Sequence, residues 1–175
     1  MNDNIKKNNY LPSGTAALAA IAAVSSAGMA SAQEYAKGNG ALEDFSGAGF
    51  AASPQWVQIW VFFMIAVFAI GLFVFAWRQP IARWAAGGFL LAAVFANVAF
   101  PALGLPPLSG SLAISHLIFW TPALVLLLKR RPFSNPAEGR WFRIWSGVMT
   151  FVIVTSFVFD IRDAFIYIRH FSGVA

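Results

Sequence analysis

The sequence predicts an all-α integral membrane protein, a four-transmembrane-helix bundle behind an N-terminal signal peptide. Three observations carry this. The 175-residue chain is 59% hydrophobic and only 11% charged, whereas a soluble domain uses about 25% charged residues to cover its surface. Four apolar runs are each long enough to cross about 30 Å of hydrocarbon. Basic residues collect in two of the three connections between those runs, which is the bias that orients membrane helices. The 18 phenylalanines and seven tryptophans fit the same solvent, because a soluble fold of this size would have to bury nearly all of them.

The leader comes first. Residues 1–14 are polar and carry Lys6 and Lys7, and a small-residue apolar run then extends from Thr15 to about Ala30. It closes on Ala30-Ser31-Ala32. A basic start, a short apolar stretch and an Ala-x-Ala site together read as a secretory signal peptide over residues 1–32. If the leader is not cleaved, it becomes a fifth helix. Either way Gln33 onward is expected outside the cytoplasm. Residues 33–55 are rich in Gly, Ala and Ser and read as a short exported flexible tail.

The transmembrane domain is expected over residues 56–171. Its spans are placed at about 56–77, 84–103, 112–128 and 144–169, the third being the shortest at about 17 residues. Pro80 falls in the first connection, Pro106 and Pro107 in the second, and Pro132 and Pro136 in the third; each stops a helix. Arg78 and Arg83 lie in the first connection, and Lys129, Arg130, Arg131, Arg140 and Arg143 in or beside the third. The middle connection has no basic residue. The charge bias therefore puts connections one and three in the cytoplasm. The leader independently puts the mature N-terminus outside, so the expectation is a multi-pass protein of a bacterial inner membrane with both mature ends periplasmic. Trp56, Trp60, Trp77, Trp84, Trp141 and Trp145 mark the span edges, where an indole ring stays apolar while its N–H stays wet.

Composition removes several classes of function. With no cysteine there is no disulfide, thiolate nucleophile or Cys-held metal centre. No Gly-rich phosphate loop, Ser/His/Asp set or His-Glu-x-x-His pattern occurs, so the chain reads as non-catalytic, with no metal and no cofactor assigned. The net charge of +5 comes largely from residues flanking the spans and does not form the clustered basic face that nucleic acid requires.

Polar groups at membrane depth are costly and are functional hypotheses by default. At 1.5 Å per residue, Asn97, His116 and Asp160 lie roughly 20, 18 and 22 Å above the basic edge of the membrane. Three helices thus supply one polar level, and the three side chains are expected to converge there. Ser156, Asp160, Asp163, Tyr167 and His170 recur at spacings of 4, 3, 4 and 3, which keeps them on one face of the fourth span. That face reads as a partner-facing stripe or as a helix end dressed for the headgroups, with Tyr167 as an interfacial anchor. His116 and His170 are the only histidines and are the candidate axial ligands if the protein holds haem. Pro101 and Pro122 sit inside spans two and three, where each removes a backbone hydrogen bond. Gly71, Gly87, Gly88 and Gly147 read as close-packing positions. The leading expectation is a non-catalytic accessory or assembly subunit of a larger inner-membrane complex, in contact with lipid and with other subunits or copies of itself. The alternative is a small ion- or proton-coupled transporter using an Asp160/His116 site, and the third reading is a haem-bearing membrane protein.

Overall fold

The computed structural model describes residues 39–45, 47–105 and 108–173. The leader assigned to residues 1–32, its cleavage site and the question of a fifth helix lie outside the described residues, as do residues 33–38 of the tail. Among the described residues, four helices are long and apolar enough to cross a membrane. They are α1 (Gln55–Phe75), α2 (Pro80–Ala102), α3 (Ser109–Arg130) and α4 (Arg140–Phe171). The protein is a multi-pass, all-helical membrane bundle.

The helices start earlier than the apolar runs suggest, for local reasons. Pro80 is the first residue of α2, where its fixed φ is already helical and its missing N–H is not needed. α3 begins at Ser109, whose N–H donates to the Glu43 carbonyl at 3.0 Å, beside a backbone bridge between Asp44 and Leu108. It runs 22 residues, longer than the 17 expected from hydropathy. It ends on Arg131, the one described non-glycine residue with positive φ, and Pro132 prevents continuation. α4 spans 32 residues, roughly 48 Å at 1.5 Å per residue, so its ends extend beyond the hydrocarbon.

Two of the helices contain π turns, at Gly71–Phe75 in α1 and Phe95–Ala99 in α2. The second lies just before Pro101, where the i−4 hydrogen bond cannot form. The first begins at the buried Gly71, where a Cβ would lie 2.6 Å from the Trp145 ring. The absent side chain lets that indole reach α1 and donate from Nε1 to the Val67 carbonyl at 3.0 Å. Trp145 is therefore a buried cross-link between helices rather than the wet interfacial ring expected from the sequence. Trp77, Trp84 and Trp141 are exposed.

α3 is the central helix, with its most extensive contacts to α2 on one side and α4 on the other. Gly88 lets α2 approach so closely that a Cβ there would overlap the Phe119 carbonyl oxygen. Gly110 does the same for α3 against the Tyr167 side chain. α1 is attached more loosely. It meets α2 mainly through its Gly71–Phe75 turn and touches α4 over a shorter stretch. The half of the bundle near the basic connections is packed solid, with Phe68, Leu127, Met149 and Ile153 at or below 1% exposure. The opposite half is not, because α1 carries bulky Trp and Phe there while α3 and α4 meet over Ser and Gly.

The tail is not featureless where it is described. Asn39–Leu42 forms a 3-10 turn packed on α3 and α4, and Gly47–Ala52 a short helix. Ala41 is wholly buried. The small residues that suggested flexibility are the ones that let this segment lie flat on the end of the bundle.

Candidate functional site

The loose half of the bundle contains a cavity of about 470 Å³. α1, α3 and α4 form its walls, and Gly40 and Phe45 of the tail close part of its end. Trp60 and Phe63 of α1 face Phe159 of α4 across it. Phe63 and Phe159 are about half exposed, so the cavity opens on the bundle surface where α1 and α4 face lipid. At its base the buried Ser156 hydroxyl donates to Met64 Sδ at 3.6 Å, above the sealed core.

His116 and Asp160 lie on this cavity and touch each other. The His116 Nδ1 is 3.2 Å from one Asp160 carboxylate oxygen and 3.4 Å from the other. Both side chains are largely shielded, at 11% and 13% exposure. His116 lies two turns into α3 and Asp160 three turns from the end of α4, so the pair lies within two helices long and apolar enough to cross a membrane. Small neighbours allow this contact. Ser111 and Ser115 are fully buried and return their hydroxyls to the carbonyls of Leu108 and Ser111, which lets α4 lie close against α3. On its other side His116 stacks on Trp120, with ring centroids 3.8 Å apart and planes at 19°. That stack fixes the imidazole so that Nδ1 is held towards Asp160. Nε2 has no hydrogen-bond partner among the described residues.

Asn97 does not join the pair. It is exposed on α2 and donates from Nδ2 to the Ala93 carbonyl of its own helix at 2.8 Å. Depth places a residue along the membrane normal but not around the helix, and the π turn beginning at Phe95 changes the angular register at that point. The stripe on α4 divides as well. Ser156 and Tyr167 are buried inside the chain's own bundle, Asp160 and Asp163 line the cavity, and His170 is exposed. That face therefore meets α1, α3 and the tail rather than lying outward. Tyr167 is 3% exposed and its hydroxyl has no partner among the described residues, so it packs rather than anchors at the surface. His170 is ten residues beyond Asp160, roughly 15 Å along the helix, and the two histidines are not brought to one site.

Sequence reasoning missed Trp120, the aromatic wall and the covering tail. Trp120 was legible as the residue one turn after His116, on the same face. Trp60 was read as an interfacial anchor; it is partly buried against Phe63 and Phe151, at 5.9 and 6.3 Å between centroids. Nothing in the sequence indicated that residues 40 and 45 reach this site.

The arrangement offers a proton donor–acceptor pair facing an apolar, aromatic space. Charge counting defines its chemistry. Imidazolium with carboxylate and imidazole with carboxylic acid are both neutral overall, so a proton shifts within the pair without creating a net buried charge. A proton leaving for water, by contrast, leaves one uncompensated negative charge in a poorly solvated place. No family model, curated protein or solved structure matches the chain.

Proposed function

We propose that this membrane protein is a small proton-coupled carrier in which the His116–Asp160 pair takes up and releases the proton. The observation that carries the reading is the 3.2 Å contact between an imidazole and a carboxylate from two different helices, at membrane depth, on the wall of a cavity. Ionisable groups inside membrane helices are costly, pair with one another and mark ion and proton pathways. Histidine suits the task because its unperturbed pKa of about 6.5 lies near physiological pH. The sealed half below Met64 and Ser156 is the closed gate of this carrier, and α1, the least tightly held helix, is the element that moves. The accessory-subunit reading has less support, since Ser156 and Tyr167 of the stripe proposed to face a partner pack inside the chain's own bundle.

The basic end is proposed to face the cytoplasm of the inner membrane, which puts the cavity in the outer half. The support is the distribution of basic residues over the connections. Alkaline phosphatase fused after Ala175 is expected to be active, and fused after Asn135 inactive; the reverse pattern overturns this orientation.

The proton site is tested by infrared titration of the purified protein between about pH 4 and 9, a range that brackets the histidine pKa. A carboxyl C=O band that varies with pH, is absent in Asp160→Asn and is shifted in His116→Gln, supports the reading. If Asp160→Asn leaves the spectrum unchanged at every pH, the reading fails.

A further inference from the structure

We infer that the cavity binds a lipophilic organic cation, a singly charged ammonium or phosphonium with bulky apolar substituents, in exchange for the proton of the His116–Asp160 pair. The inference rests on the proton-exchange reading and adds to it the chemical class of the substrate. The aromatic wall is the first argument. Phe45, Trp60, Phe63 and Phe159 line the space beside aliphatic groups of α1 and α3 and the polar side chains of α3 and α4, and the faces of such rings attract a diffuse positive charge. At about 470 Å³ the space falls within the roughly 300–1,000 Å³ typical of sites for drug-sized molecules.

Charge balance is the second argument. Among the described residues, the titratable and charged groups on the cavity are Asp160, Arg162 and Asp163 from α4 and His116 from α3. α1 and the described part of the tail contribute none to its lining. With His116 protonated and both carboxylates ionised, these four charges sum to zero. When a monovalent cation enters and one proton leaves His116 for water, the sum is again zero. An entering cation therefore expels the proton without leaving net charge in a poorly solvated site. An anion entering as the proton leaves would bring the sum to minus two, and a neutral molecule would give the proton no reason to leave. A metal ion would need a cluster of three or more ligating side chains, and none occurs among the described residues.

The third argument is His116 itself. It is 9% exposed and lines the cavity, and its Nε2 has no hydrogen-bond partner among the described residues. Nε2 is not among the buried unpaired atoms of the described residues, so it is accessible from the cavity, and an accessible unpaired ring nitrogen on a ligand-sized space is a position from which a proton can leave.

The probe is tetraphenylphosphonium, added to the full-length protein in uncharged maltoside micelles. Binding is read by equilibrium dialysis and proton release by an indicator dye in weak buffer. One cation is expected per chain, with release of up to one proton and affinity falling as the pH is lowered. Triphenylphosphine oxide, similarly bulky but neutral, is expected not to compete. Asp160→Asn should weaken binding roughly tenfold, the size of one lost desolvated charge contact, and abolish release. Phe63→Leu should weaken it about threefold, the size of one exposed ring contact, while leaving the infrared titration of the pair unchanged. Should Asp160→Asn not fold, Asp163→Asn supplies the same direction of change. Equal competition by the neutral oxide overturns the inference, as does unaltered affinity in the folded carboxylate variants. Cation binding without proton release overturns the exchange and the carrier reading with it. A titrating pair that binds no tetraphenylphosphonium overturns the cation site alone.

Discussion

α1 and α3 are both long apolar helices, yet they occupy opposite situations. α1 is the more apolar of the two and the less buried, with 22% of its most apolar stretch inside the bundle against 39% for α3. α1 turns Ile59, Phe62, Phe73 and Val74 outward. α3 sits between two helices and carries Ser111, Ser115 and His116 into the interior. In water the more hydrophobic helix would be the more buried. In lipid the solvent is itself apolar, so hydropathy no longer measures burial, and small and polar residues mark the side that faces protein. The comparison also locates the site. The cavity forms along the loosely held α1, while its chemistry is supplied by the tightly held α3 and α4.

The strongest way to break that comparison is to overfill the α2–α3 contact. Gly88→Leu is expected to destabilise the bundle by at least about 1–3 kcal/mol, because a Cβ at Gly88 would overlap the Phe119 carbonyl oxygen. Gly87→Leu, one residue away, has nothing within 4 Å of its Cβ and should be nearly neutral. Unfolding midpoints in a mixed-micelle SDS titration decide it, and equal effects at the two glycines would refute the packing. A smaller effect is expected where α1 is pinned. Trp145→Phe removes the hydrogen bond to the Val67 carbonyl while retaining most of the ring, a loss of about 0.5–1.5 kcal/mol by the same measurement. The smallest effect belongs to the lipid face of α1. Phe73 is 74% exposed, and Phe73→Ala should change the midpoint by no more than about 0.5 kcal/mol. A large loss there would mean that α1 packs against something other than lipid.

The two glycines illustrate what the sequence left open. Gly87 and Gly88 both read as packing positions, but only the second meets a neighbouring helix, because adjacent residues on a helix point about 100° apart. Asn97 failed for a related reason. Its depth followed from counting residues, but its direction depended on a π turn that the sequence did not announce. His116 and Asp160 were legible as a level, since each is an ionisable group in the interior of an apolar run. Their contact, at 3.2 Å, depended on how closely α4 approaches α3, which is governed by serines and glycines far less conspicuous in the sequence. Trp145 was misplaced because an edge position suits both an interfacial anchor and a buried cross-link. The residue that distinguishes them is Gly71, 74 positions earlier in the chain.

The sequence alone was enough to determine that this chain is a membrane protein, where the four spanning helices of the described residues and their connections fall, and which residues are too polar for apolar helices. These follow from length, hydropathy and proline placement, and each acts along one helix at a time. Only the tertiary structure decided which polar residues meet, that α1 stands away from α3 and α4 to leave a cavity, and that part of the tail covers it. These features depend on rotation about helix axes and on distances between backbones. Both are set by small side chains packing across interfaces, and that information lies in pairs of residues far apart in the chain rather than in any one segment.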